Sequence, residues 1–463
     1  MAFFTKFASF CMESMADLAL QDILTQALPT KAVADLTRSW SLSKKTYYDH
    51  TPPGETAYPT DETPKFQEVI STSDDPLVAV IGVGYVGEHL VQAFSRSHRV
   101  IGYDVSSARV KHLRTLQFGS KSVEFTCQPC GITKATHFLI SVPTLLLPDK
   151  TIDSSFLRSA LSVVAEYGRK GSTVVIESSV AVGMTRELLG PIAEAHNFFA
   201  GMSPERVDPG RTDPPSHSIP KVVSGLDDVV PGSLDSICRL YSEAFDNLVT
   251  VSRPEVAEMM KLYENCQRML GIAYANEMAD ACIVHGIDPY EVSRAAATKP
   301  FGYLPFSPSL GVGGHCIPVN PYYLLANNEF PLLRAATEKM RERPVVIASR
   351  IVERLAASKG RSLRPRVLVV GMGFKPGQSH LVNSPGLELA KNLVLLSKVD
   401  VSWIDPLVKQ EAIPQIPCFD VDNWTRGYLE AHVDLIVVSF RQHGLDFAVL
   451  HQLHGVEVEM WCS

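Results

Sequence analysis

The stretch that most restricts the fold is 76–94, PLVAVIGVGYVGEHLVQAF. It opens with an almost purely apolar run, which is typical of a strand that is covered on both faces of a parallel sheet. Gly82, Gly84 and Gly87 follow in the G-x-G-x-x-G pattern, and a helical pattern comes next. We therefore predict that a strand, a tight turn and a helix open an α/β domain here.

The glycine loop also predicts a dinucleotide. Gly82 would allow the tight turn, Gly84 would let a pyrophosphate approach the backbone, and Gly87 would permit close packing of the helix on the strand, with Tyr85 and Val86 completing the cofactor-binding loop. Asp104 ends the next apolar run, about twenty residues on, where a ribose-binding carboxylate belongs. Because this carboxylate would repel a 2′-phosphate, we expect NAD and not NADP. The alternative is a loop whose glycines serve packing only.

Charge and cysteine content exclude several classes of protein. The formal net charge of −7 offers no basic surplus for nucleic acid. The nine cysteines are spread thinly, which favours a reducing compartment, and we expect a cytoplasmic protein. Cys127 and Cys130 have the spacing of a redox or zinc motif, but no second pair follows, so no metal site is predicted. No apolar run approaches the length of a membrane span, and no signal peptide is expected.

Strand and helix patterns alternate twice along the chain, which predicts two Rossmann-like, doubly wound parallel-sheet domains joined by a central helical domain with a long helix. That helix is predicted from about Pro254 to about His285. The expected divisions are an N-terminal, largely flexible extension over 1–75, a dinucleotide-binding domain over 76–250, a helical domain over 251–363 and a second α/β domain over 364–463.

Two further features leave alternatives open. The second glycine loop, with Gly371, Gly373 and Gly377, has wider spacing and no acid placed like Asp104, since Asp405 lies further off; a substrate site is favoured there over a second NAD site. On the long helix a polar stripe contains residues that share one face. This stripe is either solvated or suited to an anionic or electrophilic ligand. Its members are Glu258, Lys261, Asn265, Arg268 and Asn276.

Seven motifs in this order resemble the nucleotide-sugar 6-dehydrogenases, the UDP-glucose/GDP-mannose dehydrogenase group: GVGYVG, SVPT, ESSVAVGMT, MSPERVDPG, EVAEMMKLYENCQR, GVGGHCIPVNPYYL and GMGFK. The resemblance covers roughly 77–445, and SPER and GGHCI with PYYL are most similar to the branch that acts on UDP-N-acetylhexosamines (GlcNAc/ManNAc). It implies oxidation of a sugar C6 alcohol to a carboxylate with two NAD consumed, a homodimer or larger assembly, and a place in polysaccharide biosynthesis. Cys316 would hold the intermediate as a thiohemiacetal and then as a thioester.

The same resemblance assigns the site residues. Lys261 and Asn265 would flank Cys316, and Lys261 with backbone N–H groups would stabilise oxyanions. Glu205 would handle the protons of water or thioester. The expected catalytic residues are Cys316, Lys261, Asn265, Glu205, Asn320 and Thr144, with Thr144 and Ser179 also near the cofactor. The expected substrate-binding residues are Glu205, Arg206, Lys261, Arg268, Gly313 and Lys375.

This chain departs from the family pattern at three places. Asn320 stands where an aspartate is usual, His380 and Val382 replace an Asp-x-Arg, and Gly271 replaces a helical asparagine. Three hypotheses therefore remain: an active nucleotide-sugar 6-dehydrogenase, an oxidoreductase that acts on a non-standard alcohol or stops at the aldehyde or thioester, and a catalytically impaired relative that serves as a binding partner.

Overall fold

The structure, a computed structural model, describes residues 75–118, 122–208, 211, 213–357 and 364–462. The extension predicted over 1–75 thus lies outside the described residues, except for Asp75. The chain divides into two compact units. The described part of the N-terminal unit is 75–267 with Val319–Phe330, and that of the C-terminal unit is 268–318 with 331–462. The domain divisions expected at 250/251 and 363/364 stay predictions.

The described elements follow one another in strand–helix alternation. The strands are β1 (Leu77–Ile81), β2 (Arg99–Tyr103), β3 (Val123–Thr126), β4 (His137–Ile140), β5 (Leu145–Leu146), β6 (Ile152–Asp153), β7 (Thr173–Ile176), β8 (Phe199–Met202), β9 (Lys221–Gly225), β10 (Leu248–Thr250), β11 (Arg366–Val370), β12 (Asp400–Ile404), β13 (Leu435–Val438) and β14 (Glu457–Met460). The α-helices are α1 (Tyr85–Phe94), α2 (Ser107–Leu113), α3 (Ser155–Tyr167), α4 (Met184–His196), α5 (Ser233–Tyr241), α6 (Pro254–Val284), α7 (Pro289–Ala296), α8 (Asn320–Leu325), α9 (Pro331–Ala357), α10 (Pro385–Leu395) and α11 (Arg426–His432).

The N-terminal unit is built on an eight-stranded sheet with the order β10-β9-β8-β7-β4-β1-β2-β3. Its strands carry apolar residues on both faces, because successive side chains point to opposite sides. Ala79 and Ile81 of β1 enter one core cluster, and Val78 and Val80 enter the other. This burial on both faces confirms the predicted doubly wound architecture.

One pairing in this sheet differs from the predicted parallel arrangement. β9 runs antiparallel to β8, with Gly201 opposite Gly225, while β10 runs parallel to β9. A parallel neighbour needs a crossover connection, which is usually an α-helix. Between β8 and β9 the described residues contain only the short 3₁₀ turn Ser216–Ser218, so the chain returns in the opposite direction.

The C-terminal unit contains a four-stranded parallel sheet with the order β12-β11-β13-β14. α9 packs against α10, and apolar residues of both helices join those of β11 and β13 in one core, which includes Ile351, Leu389 and Val369. The second predicted α/β domain is thus confirmed in architecture.

The long helix predicted from about Pro254 to about His285 is α6, and the unit boundary falls within it, after Gln267. In the described ranges, no helix has the combination of length and apolar character that a membrane span requires.

Candidate active site

The first glycine loop joins β1 to α1, and each glycine has a different physical reason to be there. Gly82 has a φ of +86°, in the left-handed region that favours glycine. A Cβ on Gly87 would lie 2.1 Å from the carbonyl oxygen of Gly82, so only glycine allows α1 to approach the strand so closely. A Cβ on Gly84 would meet nothing within 4 Å. The loop is therefore closely packed at Gly87, where α1 meets the strand, and open at Gly84.

The open side of the loop fits a dinucleotide. Gly84 precedes α1, which begins with Tyr85 and Val86, and glycine has no side chain that could cap the helix. Backbone N–H groups at a helix N-terminus are suited to bind a pyrophosphate.

Asp104 follows β2 and is held against the same loop. Its Oδ2 accepts a hydrogen bond from the backbone N–H of Val83 (2.9 Å), and its Oδ1 accepts one from that of Ser106 (2.9 Å). A carboxylate has about four lone-pair positions, so these two bonds fix its orientation and leave acceptor capacity. This half-buried carboxylate can therefore accept hydrogen bonds from a ribose.

Sequence reasoning missed Arg109, in the first turn of α2. Its Nε donates to the carbonyl oxygen of Val83 (2.8 Å), and its NH2 group donates to Oε2 of Glu88 (2.5 Å). Glu88 lies in the first turn of α1, where its charge would oppose a bound phosphate. Arg109 offsets that charge. Its signal in the sequence is a basic residue that follows Asp104 by five positions.

Thr144 and Ser179, both predicted to lie near the cofactor, are brought together by the neighbouring strands β4 and β7. The Thr144 hydroxyl donates a hydrogen bond to the carbonyl oxygen of Ser179 (2.6 Å). These two segments follow the carboxyl ends of parallel strands, which is where open α/β sheets bind their ligands.

Glu205 belongs to a buried charged cluster that sequence reasoning did not find. Nζ of Lys221 lies 2.7 Å from Oε2 of Glu177 and 2.8 Å from Oε2 of Glu205. The Tyr241 hydroxyl donates to Oε1 of Glu177. The backbone N–H groups of Arg206 (2.6 Å) and Val207 (3.0 Å) donate to Oε1 of Glu205. The possible signals in the sequence are charged residues that adjoin apolar strands, at Glu177 and Lys221.

The two carboxyl groups of this cluster have opposite pKa shifts. Burial, together with the negative charge of Glu205, outweighs the effect of Lys221 and raises the pKa of Glu177 to about 7. Burial also opposes ionisation of Glu205, but the ammonium of Lys221 and the bonds from Lys221 and the two backbone N–H groups outweigh it and lower its pKa. The two carboxylates outweigh burial at Lys221 and raise its pKa.

Arg206 was predicted to bind substrate, but its guanidinium is bonded to other residues of the protein. Its guanidinium donates to Oε1 of Glu264 (2.5 Å) and to the carbonyl oxygen of Pro220 (2.9 Å). These bonds tie the segment after Glu205 to α6, within the N-terminal unit.

The polar stripe of α6 divides into residues with different contacts. Lys261 and Asn265 are buried, and the Asn265 amide donates a hydrogen bond to Oδ1 of the buried Asn320. Arg268 is half-buried. Glu258 accepts from the backbone N–H groups of Gly183 (2.6 Å) and Thr185 (2.9 Å), and so caps the N-terminus of α4.

Asn276, at the far end of the stripe, accepts from the backbone N–H of Ser309 (2.7 Å). The solvated interpretation of the stripe is therefore wrong for the buried residues Glu258 and Asn276, since each binds backbone groups of another segment.

In the C-terminal unit, the loop that carries Cys316 packs on the second glycine loop. The backbone N–H of Gly314 donates to the carbonyl oxygen of Val382 (2.9 Å), and the Asn383 amide donates to that of Gly314 (2.9 Å). A Cβ on Gly313 would lie 3.0 Å from that of Phe374. Two residues after this anchored pair of glycines, the thiol of Cys316 is exposed.

The glycine at 271 has a steric explanation. A Cβ there would lie 2.3 Å from the ring of Phe306. The ring fills the space that the usual asparagine would need.

The second glycine loop repeats the construction of the first, and one prediction about it is wrong. A Cβ on Gly386 would lie 2.3 Å from the carbonyl oxygen of Gly371, so Gly386 is the counterpart of Gly87. Asp405, directly after β12, accepts hydrogen bonds from the backbone N–H groups of Met372 (2.8 Å) and Gly373 (3.1 Å). An acid is therefore placed like Asp104. The sequence spacing hid it, because a longer connection separates β11 from α10.

A cavity of about 320 Å³ adjoins this second loop within the C-terminal unit. Its lining includes Lys375 and Arg441 as cations, Phe374 and Trp461 as aromatic rings, and the segment Ser307 to Gly311 that leads toward Cys316. This composition suits an anionic ligand with a planar ring.

Comparisons with known proteins agree with this geometry. The family model for the NAD binding domain of the UDP-glucose/GDP-mannose dehydrogenase family matches 77–244, and that for its central domain matches 255–339. UDP-N-acetyl-D-glucosamine 6-dehydrogenase of Pseudomonas aeruginosa is 32% identical over 360 residues, which cover 73% of this chain and 84% of the relative. UDP-N-acetyl-D-mannosamine dehydrogenase of Pyrococcus horikoshii is 29% identical over 358 residues, which cover 72% and 84%.

Among solved structures, the fold is similar to that of UDP-D-ManNAc dehydrogenase from Pyrococcus horikoshii, with a TM-score of 0.73, 24% identity, and coverage of 83% of this chain and 99% of that chain. The predicted resemblance and cofactor are thus confirmed. The chain belongs to the UDP-glucose/GDP-mannose dehydrogenase family, whose members are NAD-dependent oxidoreductases that act on nucleotide sugars.

Proposed function

We propose that this protein oxidises the C6 alcohol of a UDP-sugar, with a UDP-N-acetylhexosamine as the favoured substrate, to the uronate through a thioester on Cys316. The observation that carries the proposal is the exposed thiol of Cys316, two residues after a pair of glycines that are anchored to the second glycine loop. An exposed thiol on an anchored loop is accessible to an aldehyde.

The thiol is needed because the reaction removes four electrons in two steps. The C6 alcohol first loses a hydride and a proton and becomes an aldehyde. The Cys316 thiolate adds to the aldehyde carbon, and the new oxyanion takes up a proton to give a thiohemiacetal. Loss of a second hydride and a proton leaves a thioester, and water cleaves its C–S bond to give the carboxylate and free thiol. The covalent bond retains the aldehyde between the two oxidations.

The cofactor residues follow from the first glycine loop. Gly82, Gly84 and Gly87 would accept the pyrophosphate at the N-terminus of α1, and Asp104 would hold the adenosine ribose. When it is bound, NAD supplies the acceptor for each hydride. Thr144, whose hydroxyl is bonded to Ser179, would border the reacting carbon.

By the family resemblance, we assign proton handling and charge stabilisation to Lys261, Asn265 and Glu205. The ammonium of Lys261 would stabilise the developing oxyanions, and Asn265 would orient Asn320 through their amide hydrogen bond. Glu205 would accept the proton of the water that cleaves the thioester, as an ionised carboxylate can.

Substrate contacts are proposed for cations and for one glycine. Lys375, in the cavity of about 320 Å³, would bind the diphosphate, and Gly313 is proposed to contact the sugar through its backbone. Arg268 is proposed to position the substrate. Arg206 would contribute indirectly, because its bonds to Glu264 and Pro220 hold the segment that carries Glu205.

A second candidate function, an oxidation that accumulates at the thioester, is favoured by Asn320. An amide whose Oδ1 accepts from Asn265 has no proton-accepting capacity comparable to that of a carboxylate. If the usual aspartate helps to activate water, hydrolysis is the step that would slow.

The decisive experiment counts NADH released per substrate consumed when purified protein is incubated with NAD and a panel of nucleotide sugars. Two NADH support transfer of both hydrides, one indicates an enzyme that stops at the aldehyde, and none contradicts an active dehydrogenase. Cys316→Ser should lose carboxylate formation while NAD still binds, because a serine hydroxyl is a much poorer nucleophile than a thiolate. Cys130→Ser, which alters another exposed cysteine, is the matched control. Acid formation by Cys316→Ser at the wild-type rate would contradict the thioester route.

We further infer from the family resemblance that the protein acts as a homodimer or larger assembly in the cytoplasm and supplies uronates for polysaccharide biosynthesis. The eight cysteines in the described ranges are all free, which suits a reducing compartment.

A further inference from the structure

The charged cluster around Lys221 contains two carboxyl groups, those of Glu177 and Glu205, for one ammonium. Its three charged side chains are almost fully buried: Glu177 is 0% exposed, Lys221 3% and Glu205 10%. One ammonium is shared by two carboxyl groups, so the cluster would carry a net negative charge if both were ionised. An unbalanced charge in such an environment is strongly unfavourable.

A single additional proton makes the cluster neutral, and the geometry indicates which carboxyl holds it. Glu205 receives three hydrogen bonds, from Lys221 and from the backbone N–H groups of Arg206 and Val207. Glu177 receives two, from Lys221 and Tyr241, and is the more deeply buried. Donors stabilise the ionised form, whereas burial disfavours it.

We propose that Lys221 is a positioning residue that keeps Glu205 an ionised carboxylate, and that Glu177 holds the proton that makes this possible. The inference rests on the proposed role of Glu205 as a proton acceptor. Glu177 then acts as a neutral partner that absorbs the second charge, and Glu205 stays free to act at neutral pH and below.

The backbone supports this division between the two carboxyl groups. The N–H of Glu205 donates to the carbonyl oxygen of Glu177 (3.2 Å), so the segments that follow β7 and β8 are fixed to each other. The titratable groups that face Glu177 are Lys221 from β9, Glu205 after β8 and Tyr241 from α5. The pKa of Glu177 lies at about 7 and that of Glu205 is lowered, in agreement with the geometry.

The first test is the pH dependence of kcat/KM, whose acid limb would report ionisation of Glu205. In Lys221→Met the limb should move to higher pH by about 1–3 units, because a neighbouring opposite charge lowers a carboxyl pKa by that amount. In Lys221→Arg, which keeps the positive charge, the limb should lie close to its wild-type pH. Lys339→Met removes an exposed ion pair with Glu277 and is the matched control, which should leave the limb in place.

Glu177→Gln supplies the opposing test and does not depend on whether Lys221→Met folds. Glutamine has the shape and charge of a protonated glutamate, so the acid limb should stay within a few tenths of a unit. If Glu177 were the charged partner instead, removal of its charge would lower the limb by about a unit or more, since like charges raise each other's pKa. Such a shift, or an unshifted limb in Lys221→Met, would overturn the proposal.

Direct titration separates this inference from the proposed function. Carboxyl ¹³C NMR of glutamate-labelled protein, assigned with Glu177→Gln and Glu205→Gln, should show Glu205 ionised from pH 5 to 8 and Glu177 titrating near 7. The reverse assignment would refute the inference whatever the activity. The expected titration in a protein that oxidises no nucleotide sugar would refute the proposed function and leave the inference intact.

Discussion

Replacing Asn320 by aspartate is the most informative perturbation of this site, because it restores the residue that is usual in the family. Asn320 is only 2% exposed and accepts a hydrogen bond from the amide of Asn265. A carboxylate at this position would keep that donor. Its bond would become charge-assisted, which raises a typical contribution from about 0.5–1.5 to about 1.5–3 kcal/mol and partly offsets the cost of burying the charge.

The expected kinetic effect lies in the hydrolytic step. General base assistance is worth roughly 10²–10⁴-fold, or about 2.7–5.4 kcal/mol at about 1.36 kcal/mol for each factor of ten. The wild-type protein should therefore give a rapid burst of NADH followed by slow turnover. In Asn320→Asp, the slow phase should accelerate by up to that factor, while the burst stays nearly unchanged.

Stopped-flow NADH fluorescence combined with mass spectrometry of the quenched enzyme tests this expectation. The wild-type Cys316 peptide should carry the acyl adduct, and Asn320→Asp should carry much less of it. Asn276→Asp is the matched control, since Asn276 is also a buried asparagine whose Oδ1 accepts a hydrogen bond, in this case from the backbone N–H of Ser309. Lower activity in Asn320→Asp, together with no trapped adduct on Cys316, would refute the prediction that Asn320 slows hydrolysis. The asparagine would then be explained better as a residue suited to a different substrate.

Three further predictions follow from the N-terminal unit. Asp104→Ala should narrow the preference for NAD over NADP, measured by fluorescence titration of both cofactors; equal affinities of the wild type would contradict the role of the carboxylate. Gly87→Ala should destabilise the fold strongly in thermal unfolding, because its Cβ would lie 2.1 Å from a carbonyl oxygen, whereas Gly84→Ala should fold normally and bind NAD more weakly. Because the pKa of Glu177 is raised from 4.5 to about 7, the folded state retains a proton that the unfolded state loses between those values. Stability should fall by at most about 1.4 kcal/mol per pH unit as pH rises through this window, and Glu177→Gln should flatten that part of a plot of Tm against pH.

The parts of the fold that were predictable from the sequence are those that a local pattern determines. β1 was predictable because its apolar run needs burial on both faces, and Asp104 because it ends the next strand at the expected distance. The antiparallel pairing of β8 with β9 was not predictable. It depends on the absence of an α-helix from the described residues of the connection 203–220.

The charged cluster could not be predicted for a related reason. Glu177, Glu205, Lys221 and Tyr241 are separated by up to 64 positions, and they meet only because β7, β8 and β9 are neighbours in the sheet. Each alone is typical of an ordinary surface charge or a core tyrosine. The same limit applies to Gly271, whose reason is the ring of Phe306, 35 positions away along the chain.

The two glycine loops show why similar geometry need not mean similar ligands. Asp104 and Asp405 both directly follow the strand beside their loop, and both accept hydrogen bonds from backbone N–H groups of that loop. Asp104 accepts two backbone hydrogen bonds, from Val83 and Ser106, and is half-buried. Asp405 accepts from Met372, Gly373, Leu407 and the Gln442 amide and is only 2% exposed. With about four lone-pair positions filled, Asp405 has no capacity left for a ribose hydroxyl. We therefore expect Asp405→Asn to lower the Tm and leave NAD affinity unchanged, while a loss of NAD affinity would mean that the second loop also binds the dinucleotide.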